Sequence, residues 1–538
     1  MPEVSLFRIQ PGARIETPLC RLAGGLAALS GWRRVGLAFL LGVAATAALP
    51  PVDLTPLLFI AVPGLLWLDD GSAGPGASFR LGWVFGFGFF LSGLYWIAGA
   101  LFVDIAAYWW LVPVAAAGLP AAFALYIGLA LLATRLAAEY LRLPPPARIF
   151  AFAILWTAAE WVRGHAFTGF PWNLVGYVWS GGFPGAIAIL QSVAWVGIYG
   201  LGFVTILAAS LPALLGTPSP LPISALRRWA PAIAALLLVL VPGAAGAIRL
   251  ATSPPAAAGI WLRIVQPSTP QSLKWDPAAA AADFRRLLDL SVAPASHPIA
   301  AVLWPEAATP FFLGRDAAAR RAIAAIAPAR GYVITGALRA NPPPGPVVQV
   351  WNSLEAVDAG GGIVARYDKA HLVPFGEYVP FRDVLPFKKI TAGTIDLSAG
   401  PGPATIALPG LPPFAPLICY EVIFPGAVID ESDRPSWILN ITNDAWYGRS
   451  SGPFQHFAIA RTRAVEEGLP LVRVANNGVS GVVDAYGRVP ARTSLDAVGY
   501  ADVELPAPGA RTPYARGHDW ILAVLLLVGA LPVAFRLR

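Results

Sequence analysis

The chain has 538 residues, too many for one ordinary domain. With 56% hydrophobic and only 13% charged residues, it is too apolar to be wholly soluble, since soluble proteins carry about 25% charge. A net charge of +7 does not argue for a nucleic-acid partner, because many of the arginines flank apolar segments, where positive charge sets membrane topology.

Seven apolar segments precede residue 250, near 33–50, 53–68, 81–102, 107–134, 148–163, 184–214 and 228–248. Each is read as a spanning helix. An eighth, "WILAVLLLVGALPVAF", closes the chain at 520–535. Ahead of the first, Glu3, Arg8, Arg14 and Glu16 interrupt the tail. Cys20 therefore reads as an ordinary tail residue and not as a lipidation site, and no cleavable signal segment is evident. Alternate connections hold Arg33 and Arg34, then Arg80, then Arg135, Arg142 and Arg148, then Arg227 and Arg228. The opposite connections hold Asp53, Asp104 and Arg163. This asymmetry predicts both termini in the cytoplasm and residues 250–515 outside it.

Residues 258–508 read as a soluble domain. Strand-like runs such as "IWLRIVQPS", "IAAVLWPEA", "GYVITGALR", "FAPLICYEVIF", "SWILNITND" and "PLVRVANNG" alternate with helical stretches at 277–291, 315–329 and 453–467. That alternation predicts an α/β sandwich. "DAGGGIVARYDK" and "DAYGRVPAR" read as hairpins. The expected domains are 1–250 with seven transmembrane helices, 251–508 as the catalytic part and 509–538 with the last helix.

Three reactive residues fall at strand ends: Glu306, Lys369 and Cys419. Taken singly each has a plain reading. Cys419 in "LICYEVIF" is a good core residue. Glu306 suits a helix N-terminus, and Lys369 suits a solvated turn. Together they would supply a base, a cation and a nucleophile. The two cysteines, Cys20 and Cys419, cannot form a disulfide framework. His371 and His456 lack metal-ligand spacing, so no metal is expected. Asn476, Asn477 and Gly478 read as a turn.

"VLWPEAA", "YDKAHLVPFGEYVPF" and "LICYEVIFP" resemble the nitrilase superfamily. "RGHAFTGFPWNLVGY", "LQSVAWVGIYGLGFV", "QPSTPQSLKW" and "ITNDAWYGRSSGPFQHFAIARTRAVEEG" extend the resemblance over the chain to one membrane-bound branch, the bacterial apolipoprotein N-acyltransferases. The resemblance implies a four-layer αββα sandwich outside the cytoplasm, joined to eight transmembrane helices of the bacterial inner membrane. It implies Glu306 as general base, Lys369 as oxyanion-stabilising cation and Cys419 as nucleophile. It gives supporting or substrate-binding weight to Glu377, Trp275, Tyr420 and Glu421. It implies a phospholipid acyl donor, with phosphatidylethanolamine expected, a diacylglyceryl apolipoprotein acceptor, and no cofactor. A membrane-anchored amidase or nitrile hydrolase with the same triad is the alternative; an inactive binding scaffold is a third reading, against which the intact triad argues.

Overall fold

A computed structural model of the chain describes residues 17–218, 224–274, 276–342, 345–381, 389–390 and 395–534. Helices occupy all eight segments expected to span. Four are long and apolar enough to cross a membrane: Pro75–Leu111, Val114–Tyr140, Val193–Gly216 and Ala225–Thr252. Pro18–Ala27 and Gly31–Thr46 form a fifth if that pair, bent by 116°, counts as one span. Among the described residues the remaining three do not combine that length with that apolarity: Leu58–Asp70 and Asp519–Ala534 are short, at 13 and 16 residues, and Pro145–His165 has the length at 21 residues but not the apolarity.

Two limits move. The segment expected at 81–102 is regular helix only over Pro75–Leu94 and then tightens into 3₁₀ turns at Tyr95–Asp104. After one α-helical turn at Ile105–Tyr108, the next long regular helix begins at Leu119 rather than near 107. Phe102, Trp109 and Val114 stay exposed in between, so apolarity there marks a surface and not a buried helix face. Charges near helix ends are paired: Arg148 donates to Asp69 at 2.7 Å, which lowers the cost of placing either near lipid.

The second half contains two sheets. The strands are β1 (Ala257–Gln266), β2 (Ile299–Leu303), β3 (Tyr332–Ala340), β4 (Val350–Asp358), β5 (Ile363–Asp368), β6 (Phe414–Ile418), β7 (Trp437–Thr442), β8 (Leu471–Ala475), β9 (Gly481–Val483), β10 (Ala491–Arg492) and β11 (Gly499–Pro506). One sheet runs β11-β1-β2-β3-β4-β5 and the other β10-β9-β8-β7-β6. The pairs β4/β5 and β9/β10 are the expected hairpins. Leu262, Ile264, Leu303 and Ile334 of the first sheet meet Phe414, Leu439, Ile441 and Val474 of the second. Alternate residues of the first sheet, including Val265, Val302 and Val333, face outward onto Leu287 and Ile323 of the helices Pro277–Ser291 and Ala317–Ile326. This period of two places one apolar set between the sheets and the other under helices.

The outer face of the second sheet carries helix Gly452–Glu467, and its apolar contacts continue into the membrane helices as one cluster. The junction is specific. Helix Val193–Ser210 breaks at Gly197, where φ is +65° and a Cβ would lie 2.3 Å from the Tyr514 ring. The N–H of Ile198, freed by that break, donates to Glu466 Oε1 at 2.7 Å. The sheet-bearing half is thereby fastened to a kink in a membrane-length helix.

Candidate active site

The three triad candidates come from both sheets. Glu306 lies just beyond β2, Lys369 directly follows β5, and Cys419 directly follows β6. All three are buried. Cys419 has φ +52°, a left-handed conformation that costs about 1–3 kcal/mol away from glycine and persists only where neighbours over-determine it. Those neighbours are present. Glu421 Oε2 accepts from the Ile418 N–H at 2.7 Å. Its Oε1 accepts from the Tyr367 hydroxyl at 2.7 Å, the Ala370 N–H at 2.7 Å and the His371 N–H at 3.2 Å. Glu421 therefore ties the Cys419 turn to the turn that carries Lys369. Burial raises its carboxyl above the usual range, against the pull of the Ile418 N–H and the Tyr367 hydroxyl.

Lys369 Nζ lies 2.9 Å from Glu377 Oε2 and 3.7 Å from Glu306 Oε1. Burial works against its ammonium, but Glu377 and Glu306 outweigh burial and hold its pKa above the ordinary lysine range. Asn352, on β4, donates to both carboxylates, at 2.7 Å to Glu306 Oε1 and 3.0 Å to Glu377 Oε1. Glu306 Oε2 is buried and, among the described residues, has no hydrogen-bond partner. One carboxylate oxygen is thus held in place while the other is open to a proton. Lys274 Nζ donates to the Glu306 carbonyl at 2.9 Å, and burial lowers this lysine to about 8.

Burial, then Glu306, pushes the Cys419 thiol up to about 12, with Lys369 opposing. The resting thiol is neutral at pH 7 and would need a base to act as a nucleophile. Alkylation by iodoacetamide, mapped to Cys419 by peptide mass, is therefore expected to keep rising with pH to about 11, because thiolate accumulates only as pH approaches the raised pKa. An ordinary thiol levels off above about 8.5. A plateau by about pH 9 at Cys419 would contradict the raised value.

Several neighbours were not legible as site residues in the sequence. His456 Nε2 lies 3.2 Å from the Cys419 carbonyl, and its Nδ1 faces Asp444 Oδ1 at 3.0 Å and Arg473 Nη2 at 2.9 Å. Burial and Arg473 lower it to about 4, so it is neutral at pH 7. Gly336 on β3 is packed against the Glu306 turn: a Cβ there would lie 2.5 Å from Glu306 Cα and 2.6 Å from the Pro305 carbonyl. Gly336→Ala must move backbone, since no flexible side chain can yield. It is expected to cut turnover at least about tenfold, the scale of roughly 1 Å misplacement at a catalytic group, with substrate KM changed less. Unchanged turnover in a folded Gly336→Ala protein would show that the Glu306 position is not critical.

Of the other residues singled out from sequence, Glu377 reaches Lys369 directly. Tyr420 turns away from the ion cluster: its hydroxyl donates to the Gly169 carbonyl at 2.9 Å and its ring packs on Phe424. His371 also reaches that loop, with Nε2 at 2.8 Å from the Thr168 carbonyl. These contacts dock the Cys419 turn onto residues 168–169. Trp275 lies outside the described residues. Asn476 holds Thr269 from both sides, accepting from its N–H at 3.1 Å and donating to its carbonyl at 2.8 Å.

Comparison with known proteins covers both halves. The family described as the N-terminal domain of apolipoprotein N-acyltransferase matches residues 41–211, and carbon-nitrogen hydrolase matches residues 262–511. The apolipoprotein N-acyltransferase of Rhodopseudomonas palustris is 40% identical over 97% of this chain and 98% of that protein. That of Bradyrhizobium diazoefficiens is 41% identical over 93% of this chain and 94% of that protein, and that of Rickettsia prowazekii 35% identical over 87% and 91%. Among solved structures, a variant of the Nesterenkonia AN1 amidase from the nitrilase superfamily overlays with a TM-score of 0.36 at 20% identity, covering 50% of this chain and 98% of that one.

Proposed function

Because the chain belongs to the apolipoprotein N-acyltransferase family, we propose that it transfers a fatty acyl chain from a phospholipid, by way of a Cys419 thioester, to the N-terminal amine of a diacylglyceryl apolipoprotein. The single observation that carries this reading is the buried Glu306–Lys369–Glu377 cluster acting on a strained, buried thiol.

The steps follow from the groups. Glu306 Oε2 takes the Cys419 proton. The thiolate attacks the acyl ester carbon of the phospholipid. The oxyanion forms beside Lys369, whose charge is fixed in place by Glu377 before the reaction begins. Collapse expels the lysophospholipid oxygen, which takes the proton from Glu306, and leaves the acyl group on sulfur. The acceptor amine then attacks the thioester carbon and gives a proton to Glu306. The C–S bond breaks, sulfur recovers that proton, and the N-acylated lipoprotein leaves. Two acyl transfers through one thiol make the kinetics ping-pong. Phosphatidylethanolamine is the proposed donor.

The proposed topology has eight spans, with residues 1–250 carrying seven, the catalytic part at 251–508 in the periplasm, and 509–538 returning the chain to the cytoplasmic side of the inner membrane. The one-sided arginines and the helices at all eight segments support it. The test of function is product analysis with defined phospholipid and a diacylglyceryl peptide. N-acylated peptide and lysophospholipid in equal amounts are expected. Free fatty acid with unmodified peptide would mean hydrolysis and overturn the transfer reading.

A further inference from the structure

The described structure also holds a cleft of about 670 Å³ that none of Glu306, Lys369, Glu377 and Cys419 lines. Its size falls within the roughly 300–1,000 Å³ of small-molecule sites. One wall is the end of helix Gly31–Thr46 and the turn after it, with Val43, Leu49, Pro50, Pro51 and Val52. The opposite wall is Arg449, Ser450 and Ser451, followed by Phe454 of helix Gly452–Glu467. The membrane-helix side is mostly apolar, with Thr46, Ser92 and Tyr95 as its polar members, and the charged groups, Arg449 and Asp496, lie on the other side.

The polar side has the features of an anion site. Arg449 is bound to Asp496 through Nε at 2.7 Å, and its side chain is 83% exposed, so the two terminal nitrogens remain for a ligand. Ser451 Oγ is buried and has no hydrogen-bond partner among the described residues. Ser451 stands at the head of a 16-residue helix without capping it through its side chain, so the helix adds partial positive charge at the same end. Asp496, beside Arg449, also lines the cleft. A guanidinium and a hydroxyl suit a phosphodiester, a carboxylate next to them suits an amine, and the Val43–Val52 wall suits hydrocarbon.

We infer that this cleft binds a zwitterionic phospholipid at a second, non-reacting site, with phosphate at Arg449 and Ser451, amine at Asp496 and an acyl chain along Val43–Val52. The position gives the site a consequence. Gln455, which also lines the cleft, accepts from Trp96 at 3.2 Å and Trp172 at 2.9 Å. The next residue, His456, reaches the Cys419 carbonyl. A lipid seated here braces the helix that backs the nucleophile turn.

The test uses full-length protein in detergent and a phosphatidylethanolamine carrying a diazirine in its acyl chain, with crosslinks mapped by peptide mass. Labelling of the 43–52 peptide is expected. Arg449→Glu is expected to reduce it about tenfold, the scale of one lost charge-assisted contact, and Arg449→Lys to keep most of it. Labelling near Cys419 should not change in either variant, which separates failure of this site from failure of the catalytic reading. An unlabelled 43–52 peptide, or equal labelling in Arg449→Glu, would overturn the site. Equal labelling by a diacylglycerol probe that lacks the phosphate would also overturn it, since a neutral diacylglyceryl group would then be the occupant.

Discussion

Cys419→Ala is expected to abolish N-acyl transfer while leaving the fold intact. Without sulfur there is no thioester, and Glu306, Lys369 and Glu377 have no atom to acylate. Loss of a nucleophile that works as part of a unit costs on the order of 10⁴-fold or more. The substitution removes one buried sulfur and keeps the backbone conformation, so the stability loss is about 1 kcal/mol. Cys419→Gly gives a sharper comparison. It should be equally inactive, and it removes the side chain from a residue at φ +52°, which relieves about 1 kcal/mol of strain. Transfer assays and thermal unfolding in the same detergent check both variants. Normal turnover by either would remove Cys419 from the mechanism.

Lys369→Met is expected to damage stability and activity together. The ammonium sits between two buried carboxylates, 2.9 Å from Glu377 and 3.7 Å from Glu306. Its removal leaves them facing each other with Asn352, alone among the described residues, donating to both. Breaking a buried charge group in this way costs about 3–5 kcal/mol. That corresponds to a fall in Tm of roughly 10 °C for a domain of this size. Transfer should fall by about 10³-fold, because the oxyanion loses its fixed cation. A second substitution separates the two effects. Glu377→Gln in the Lys369→Met background removes one of the orphaned charges, so thermal stability should recover in part while transfer does not. Recovery of both would show that Lys369 serves folding alone.

The sequence made the catalytic half readable because its signals are local. The strands that lead to Glu306 and Cys419 are short apolar runs ended by reactive residues, Lys369 ends the second strand of a hairpin, and the hairpins announce themselves by glycine turns. What escaped notice depends on contacts distant in the chain. Strand β11 has a mixed sequence, with Tyr500 exposed and Val503 and Leu505 buried, and exists because β1 offers it a partner at the sheet edge. Asn352 sits in "VWNSLEAV" as one of three polar residues, with nothing in the pattern to set it apart, and its two acceptors lie 46 and 25 residues away. Gly336 looks like any strand glycine until the Glu306 turn is seen pressed against it. His456 lies in a helix whose burial on nearly every face arises only when sheet and membrane helices close on it. In the membrane half, hydropathy found the helices of the eight expected segments but not their limits, since the turns from Tyr95 to Gly118 are as apolar as the helices around them, and it missed the helix Pro18–Ala27, where Cys20, read as a tail residue, is buried.

The central claim is that Cys419 carries the acyl group between two substrates. The direct measurement is the intact mass of active protein incubated with phospholipid and no acceptor, followed by peptide mapping. One added acyl group on Cys419 is expected, lost on treatment with hydroxylamine and on addition of a diacylglyceryl peptide. An active preparation that shows no adduct, or that carries the acyl group on any other residue, would contradict the account.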